Sequence, residues 1–253
     1  MLLDMMKIPE FREVVENMWR QSFKAQVQAE YNKITSMNNA IQASAAADHQ
    51  KWGTSSDLSV VKKFIERRIE YLDMLFSQNV SFDTTQQYKI INRGFCISTA
   101  NPSTTNGEGA TLRKQRIKES QLFTLELTDN GQFYIIKQVS SGYALTVKDN
   151  LLTKKCDVIL SKNKNTDAQK WRIIKKNNKY VIMSKLNGMV FDVRGGVFKS
   201  GTQIQMYHYN GTNSQFFSLV KNPHPFVNED MSGTYVILNT ASNYMVAIAG
   251  DSK

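Results

Sequence analysis

Cysteine is scarce in this chain, 2 in 253 residues. Cys96 and Cys156 allow one bridge at most, which excludes a small scaffold stapled by several disulfides. A bridge between the two units is compatible with the sequence, but two lone cysteines are more often buried thiols. Histidine is almost as rare, and no metal-ligand spacing links Cys96, Cys156, His49, His208 and His224. A zinc module is excluded on that ground, and no nucleophile–base arrangement is readable either. The sequence implies no cofactor and no metal. No apolar run reaches the ~18 residues that a membrane span needs, and no leader pattern follows Met1. Two of the 4 prolines fall together, at Pro223 and Pro225.

Acidic residues are also short in one half. The net charge is +10, and residues 1–80 hold 10 Lys+Arg against 10 Asp+Glu, whereas 81–253 hold 22 against 12. The excess is all in the second part. Basic clusters at 113–118 and 170–179 attract anionic polymers, whether acidic or sulfated glycans or nucleic acid, by long-range field alone. No nucleic-acid-binding motif accompanies them, so no specific nucleic-acid partner is expected.

What the chain does contain is a repeat. Tyr88-Lys89-Ile90, Tyr134-Ile135-Ile136 and Tyr180-Val181-Ile182 stand 46 residues apart (134 − 88 and 180 − 134), and Tyr235-Val236-Ile237 begins a fourth copy. The first three copies each close on Gln-x-aromatic: Gln121-Leu122-Phe123, Gln169-Lys170-Trp171 and Gln215-Phe216-Phe217. Such units bury their apolar faces only against one another. Within each unit, short alternating apolar runs are separated by Gly, Asn, Asp and Ser, the pattern of strands and tight turns, with Asn130-Gly131, Asn187-Gly188 and Asn210-Gly211 as turn centres. About four strands in each of three units, over residues 84–222, point to a closed pseudo-threefold barrel.

The third unit carries a resemblance. Asn187-Gly188-Met189-Val190-Phe191-Asp192-Val193, then Gly201-Thr202-Gln203-Ile204-Gln205-Met206-Tyr207, then Asn210-Gly211-Thr212-Asn213-Ser214-Gln215-Phe216-Phe217, resembles a ricin-type β-trefoil lectin repeat. The resemblance implies a carbohydrate-binding module, with glycans as partners, galactose-type sugars among them. It implies sugar pockets one per unit, while the Gln-x-aromatic positions are mainly structural. A pyranose offers hydroxyl pairs and an apolar face, which call for a carboxylate, amides and an aromatic platform. The matching residues here are Asp192 as acceptor, Tyr207 as platform, and Gln215 with Gln205 for orientation. Ser214 departs from the asparagine that the family usually has there. Two plainer roles remain open, Asp192 as a turn acid capping loop amides and Tyr207 as a ring turned to the core. The second unit has Thr146 and Ser161 at the acid and platform positions, and the first has Ser98 and Arg113; both are read as structural.

Residues 1–80 read as helices. Pro9 stands at a helix start, and one apolar stripe runs through Phe11, Val14, Val15, Met18 and Phe23. A second runs through Ile34, Met37, Ile41 and Ala45. A third helix, capped from the Thr54-Ser55-Ser56-Asp57 cluster, would bury Val61, Phe64, Ile65, Arg68, Ile69, Leu72, Leu75 and Phe76. Pro9-Glu10-Phe11-Arg12, Trp19, Trp52 and Glu66-Arg67-Arg68 with Tyr71-Leu72-Asp73 resemble the carboxyl-terminal helices of a spore-coat CotH-type kinase domain. That implies a secreted or cell-surface setting and an upstream domain. None of its nucleotide-binding or catalytic residues matches here, so no catalytic residue is assigned; a plain helical spacer is the alternative. Residues 223–232 read as a linker and 233–253 as the incomplete start of a second, tandem trefoil. The expectation is therefore an α+β multidomain chain: a helical segment, an all-β trefoil, and the beginning of a further β repeat.

Overall fold

The structure is a computed structural model that describes residues 8–53, 58–77, 80–101, 105–129 and 131–223. The fourth repeat, the linker after Pro223, the 54–57 cluster and Asn130 lie outside the described residues.

Helix α1, Pro9–Met18, starts with its proline in the first turn, after Ile8 in an extended conformation (φ −84°, ψ 117°). A π turn, Trp19–Phe23, joins it to α2, Lys24–Ala40, and α3, Gln42–Trp52, ends at Gly53 in the left-handed region (φ 67°). Helix α4 is Ser59–Leu75. The expected stripes bury little. Helices α2 and α3 contain no buried residue, and Met37, Ile41, Val61 and Phe64 are all exposed. What anchors the segment is instead Trp19, Arg12, Met74 and Phe76. The Trp19 indole donates to Asp73 Oδ1 at 2.9 Å and its ring lies 6.2 Å from Phe76. Arg12 is buried because its guanidinium is satisfied, by Glu16 at 2.6 Å, by the Leu75 carbonyl at 2.9 Å and by Gln132 of the β region at 2.8 Å. Periodicity located the helical segment but not its buried side, and the second stripe runs across the break at Ile41 between α2 and α3.

The β region has four main strands in each unit. The first holds β1 (Gln87–Asn92), β2 (Phe95–Ser98), the short β3 (Glu108–Gly109), β4 (Thr111–Lys114) and β5 (Phe123–Thr128). The second holds β6 (Phe133–Gln138), β7 (Ala144–Val147), β8 (Val158–Ser161) and β9 (Lys170–Lys176); the third holds β10 (Lys179–Ser184), β11 (Val190–Val193), β12 (Ile204–Tyr207) and β13 (Ser218–Lys221). Antiparallel pairing runs β1–β5–β6–β9–β10. The ladder itself is an open path, but Tyr180 and Phe217 exchange two backbone hydrogen bonds, of 2.7 and 2.8 Å, and β13 pairs with β1. The pairings thus lead back to the first strand, which leaves little free edge. The other strands form one hairpin per unit, β2/β4, β7/β8 and β11/β12.

The repeat's tyrosines mark the axis. Tyr88, Tyr134 and Tyr180 each meet the Phe82 ring edge-on, at 5.6, 5.9 and 5.3 Å. Phe82 itself belongs to no repeat, so one residue from the connector fills the space that three equivalent residues leave. In the same core Trp171, Phe191 and Phe217 pack edge-on, with centroids 4.6 and 6.1 Å apart.

Helices and β region belong to one unit, which ends at Pro223. Met74 packs on Ile174, Val181, Met183 and Val190, with Tyr71 beside them. The Tyr71 ring lies on the Asn187-Gly188 turn so closely that a Cβ on Gly188, where φ is 66°, would stand 2.5 Å from it. Gly188→Ala is therefore expected to cost about 1–3 kcal/mol from backbone strain and displacement of that ring. Chemical denaturation checks this, with Gly131→Ala, where φ is 77° and an added Cβ would meet nothing within 4 Å, as the control for strain alone.

Candidate functional site

The three closing glutamines make the same two hydrogen bonds. Gln121, Gln169 and Gln215 each accept from the backbone N–H five residues back, those of Arg116, Lys164 and Asn210, at 2.7, 2.8 and 2.8 Å. Each donates to the carbonyl seven residues back, those of Lys114, Lys162 and His208, at 2.8, 2.9 and 2.9 Å. One amide thereby ties off the loop that enters the last strand of every unit. A glutamine does this because it alone reaches that far with both a donor and an acceptor.

The units differ in what the second amide proton meets. In the second unit Gln169 donates to the Thr146 and Ser161 hydroxyls, at 3.1 and 3.2 Å, which are themselves 2.7 Å apart. In the third, Gln215 donates to Asp192 Oδ2 at 3.1 Å, while Gln205 donates to Asp192 Oδ1 at 2.9 Å. In the first, Ser98 turns away to the Ser120 carbonyl at 2.8 Å, and Arg113 to the Thr111 hydroxyl at 3.1 Å. Of the three equivalent positions, only that of the third unit carries an acid.

Strand alternation puts Phe191 in the core and Asp192 on the opposite face, across the hairpin from Gln205. Asp192 is only 6% exposed, and burial raises its pKa above the ordinary aspartate value, although the Gln205 and Gln215 amides pull it down. Its partners are side-chain amides, so it is not a cap on loop backbone. Each carboxylate oxygen keeps a lone pair beyond the one the glutamine uses. Gln215 is fully buried with both amide protons committed, which places it behind Asp192, as a positioning group without a free donor. Gln205 is also buried, and its oxygen accepts from Arg194 Nε at 3.2 Å. Tyr207, at the end of β12, is half-buried, with Lys154 Nζ 5.8 Å from its ring centroid. Ser214 lies beside this group, its hydroxyl 3.5 Å from where a side chain on Gly196 would begin.

A brace from the second unit completes the arrangement. Arg194 forms an ion pair with Asp157, which lies opposite Gln205 across an isolated bridge. The order Asp157, Arg194, Gln205, Asp192, Gln215 thus joins two units, and Asp157 and Arg194 were not foreseen because their relation crosses a repeat boundary. The basic cluster at 170–179 is less open than its sequence suggests. Lys170 is held by Asp129 at 2.9 Å. Arg172 is buried and donates to the Ser77 carbonyl at 2.6 Å, and burial brings its pKa down to about 10. Cys96 and Cys156 are separate, buried thiols; burial pushes Cys96 up to about 11.

Residues 162–253 match the family model described as ricin-type beta-trefoil lectin domain-like. Residues 80–223 have a β-trefoil fold. Among solved structures, the designed threefold-symmetric protein ThreeFoil has a TM-score of 0.51 at 24% identity, over 53% of this chain and 97% of its own. An exo-β-1,3-galactanase from Clostridium thermocellum has 0.53 at 26%, over 56% of this chain but only 31% of the enzyme. The Rhizoctonia solani agglutinin has 0.51 at 18%, over 57% of this chain and 100% of its own. No curated protein matches the chain. The trefoil model's match does not include the helices, and their kinase resemblance gains no support from these findings. Among the described residues no helix is long and apolar enough to cross a membrane.

Proposed function

We propose that the trefoil is a carbohydrate-binding module with its sugar site in the third unit. The observation that carries this reading is the buried carboxylate of Asp192, held by two amides at a position where the other units have only hydroxyls. Asp192 accepts from a pair of sugar hydroxyls, the Tyr207 ring covers the apolar face of the pyranose, and Gln205 and Gln215 hold the carboxylate in place. The Ser214 hydroxyl stands where the family usually offers an amide. The names of the galactanase and the agglutinin support a sugar as ligand, and galactose-type sugars as the first to try. One shallow site binds at about millimolar strength, or about −4 kcal/mol, so useful retention at a glycan surface comes from linking several sites.

Titration with galactose, N-acetylgalactosamine, mannose and xylan-type ligands, followed by NMR, tests this. Saturable shifts at Tyr207 and the Gln215 side-chain amide are expected; their absence with every ligand would leave the trefoil a scaffold. The titration is also expected to depend on pH. Sugar hydroxyls donate to the carboxylate, so affinity falls as the solution is acidified, with a midpoint above the ordinary 3.8 of aspartate. Stability runs the other way: with its folded pKa raised, Asp192 favours the folded state most below 3.8, and that contribution is lost as pH rises through the raised value.

A further inference from the structure

Beside the proposed sugar site is a cleft of a different character. Between α4 and the end of β12 lies an open cavity of about 510 Å³, lined by Lys63, Phe64, Arg67, Arg68, Tyr71 and His208 among others. Its described lining contains three cations, a histidine and two aromatic rings, and no carboxylate. Arg68 is stacked 5.1 Å over the Tyr71 ring. Of the acids flanking these cations on α4, Glu66 accepts from the Tyr31 hydroxyl at 2.5 Å, and Glu70 lies close enough to feel the charge of Arg67. Lys63 and Arg67 carry no ion pair among the described residues, whereas Arg12, Arg20, Lys24, Lys170, Lys185 and Arg194 all do. Like charges gathered around a concave, partly apolar wall concentrate an anion there.

The cleft is mechanically joined to the sugar site. The His208 carbonyl and Asp192 Oδ2 accept from the same Gln215 amide, at 2.9 and 3.1 Å. The His208 ring is 6.2 Å from that of Tyr207. A sugar lying on Tyr207 therefore has the cleft within the reach of one substituent or one further residue of the glycan.

We propose that the glycan taken by the third unit is acidic, and that its oxyanion, a carboxylate or a sulfate ester, is received in the α4–His208 cleft by Arg67 and Lys63. This rests on the sugar-binding reading above. It also gives the helical segment a part in recognition, since α4, docked through Tyr71 and Met74, presents Lys63 and Arg67 at the cleft. Planar guanidinium and point-like ammonium groups suit both oxyanions, so the shared chemistry is the assignment.

The test uses the full chain, wild type and the exposed double variant Lys63→Gln/Arg67→Gln, titrated with galactose, galacturonic acid and galactose 6-sulfate. The acidic sugars are expected to bind about tenfold more tightly than galactose, shifting His208 as well as Tyr207, and to lose that advantage in the variant and in 0.5 M salt, roughly three times a physiological level. Galactose affinity is expected to stay unchanged in both. Whichever acidic sugar shows the larger advantage identifies the oxyanion. Equal binding of neutral and acidic sugars, or an advantage that survives the double substitution, overturns the cleft while leaving the sugar site standing. Inorganic sulfate shifting His208 while no sugar shifts Tyr207 overturns the sugar site and with it the acidic-glycan assignment. A single-stranded oligonucleotide that shifts His208 and outcompetes both acidic sugars also overturns it, in favour of nucleic acid.

Discussion

Asp192→Asn is expected to weaken sugar binding about 10- to 100-fold, the equivalent of the roughly 1.5–3 kcal/mol of a charge-assisted hydrogen bond. The side chain keeps its size, so what is lost is the charge and one acceptor. The amide created there faces two donors that cannot both turn round. Gln215 holds the Asn210 N–H and the His208 carbonyl, and Gln205 holds Arg194, so flipping either breaks bonds already made. One buried donor–donor contact follows, and it costs about 1–3 kcal/mol of stability. Asp192→Thr separates the two effects, because it installs the residue that the second unit uses at the same place. There Gln169 donates to Thr146 at 3.1 Å. The threonine variant should fold nearly as well as wild type and bind no sugar. If calorimetry finds unchanged affinity in both variants, the sugar is not held at the third unit.

How much of this was legible beforehand differs by level. Three units, four strands in each and their turns were readable because a repeat states its pattern three times, and Tyr88, Tyr134 and Tyr180 do stand at equivalent places. Phe82, which they surround, was not readable, since a residue on the symmetry axis occurs once. The grouping of Asp192, Gln205 and Gln215 was legible through family resemblance, but not its depth: no pattern says that both amide protons of Gln215 are already used. The brace from Asp157 to Arg194 crosses between units, and its partners are 37 residues apart. The helices failed differently. Their period was correct, yet Phe64 and Met37 are exposed while Arg12 is buried, because docking on the β region selects the end of α4 and the Arg12 side of α1 over the widest apolar stripes. The α4–His208 cleft joins residues more than a hundred positions apart and has no sequence signal at all.

The largest effect on stability is expected from Trp171→Ala, about 3–5 kcal/mol. Trp171 is fully buried, lies 4.6 Å from Phe191 across the unit boundary, and donates from its indole to the Leu145 carbonyl at 2.9 Å. Truncation leaves a cavity in the middle of the β core and strands that carbonyl, and strands paired on both sides cannot readily move in to fill the space. For a unit of this size the loss corresponds to a fall in melting temperature of about 10 °C. Trp171→Phe should recover most of it, short of the indole hydrogen bond. The same geometry predicts where the damage stops. Phe191 turns into the core while Asp192, its neighbour on β11, faces the amides of Gln205 and Gln215, so the folded fraction of the alanine variant should retain sugar affinity within about threefold, less than the 1.4 kcal/mol of a tenfold change. Calorimetric unfolding together with a sugar titration below the melting transition reads both quantities. A loss of affinity as large as that of Asp192→Asn would mean that the sugar site depends on core packing and not on the amide frame.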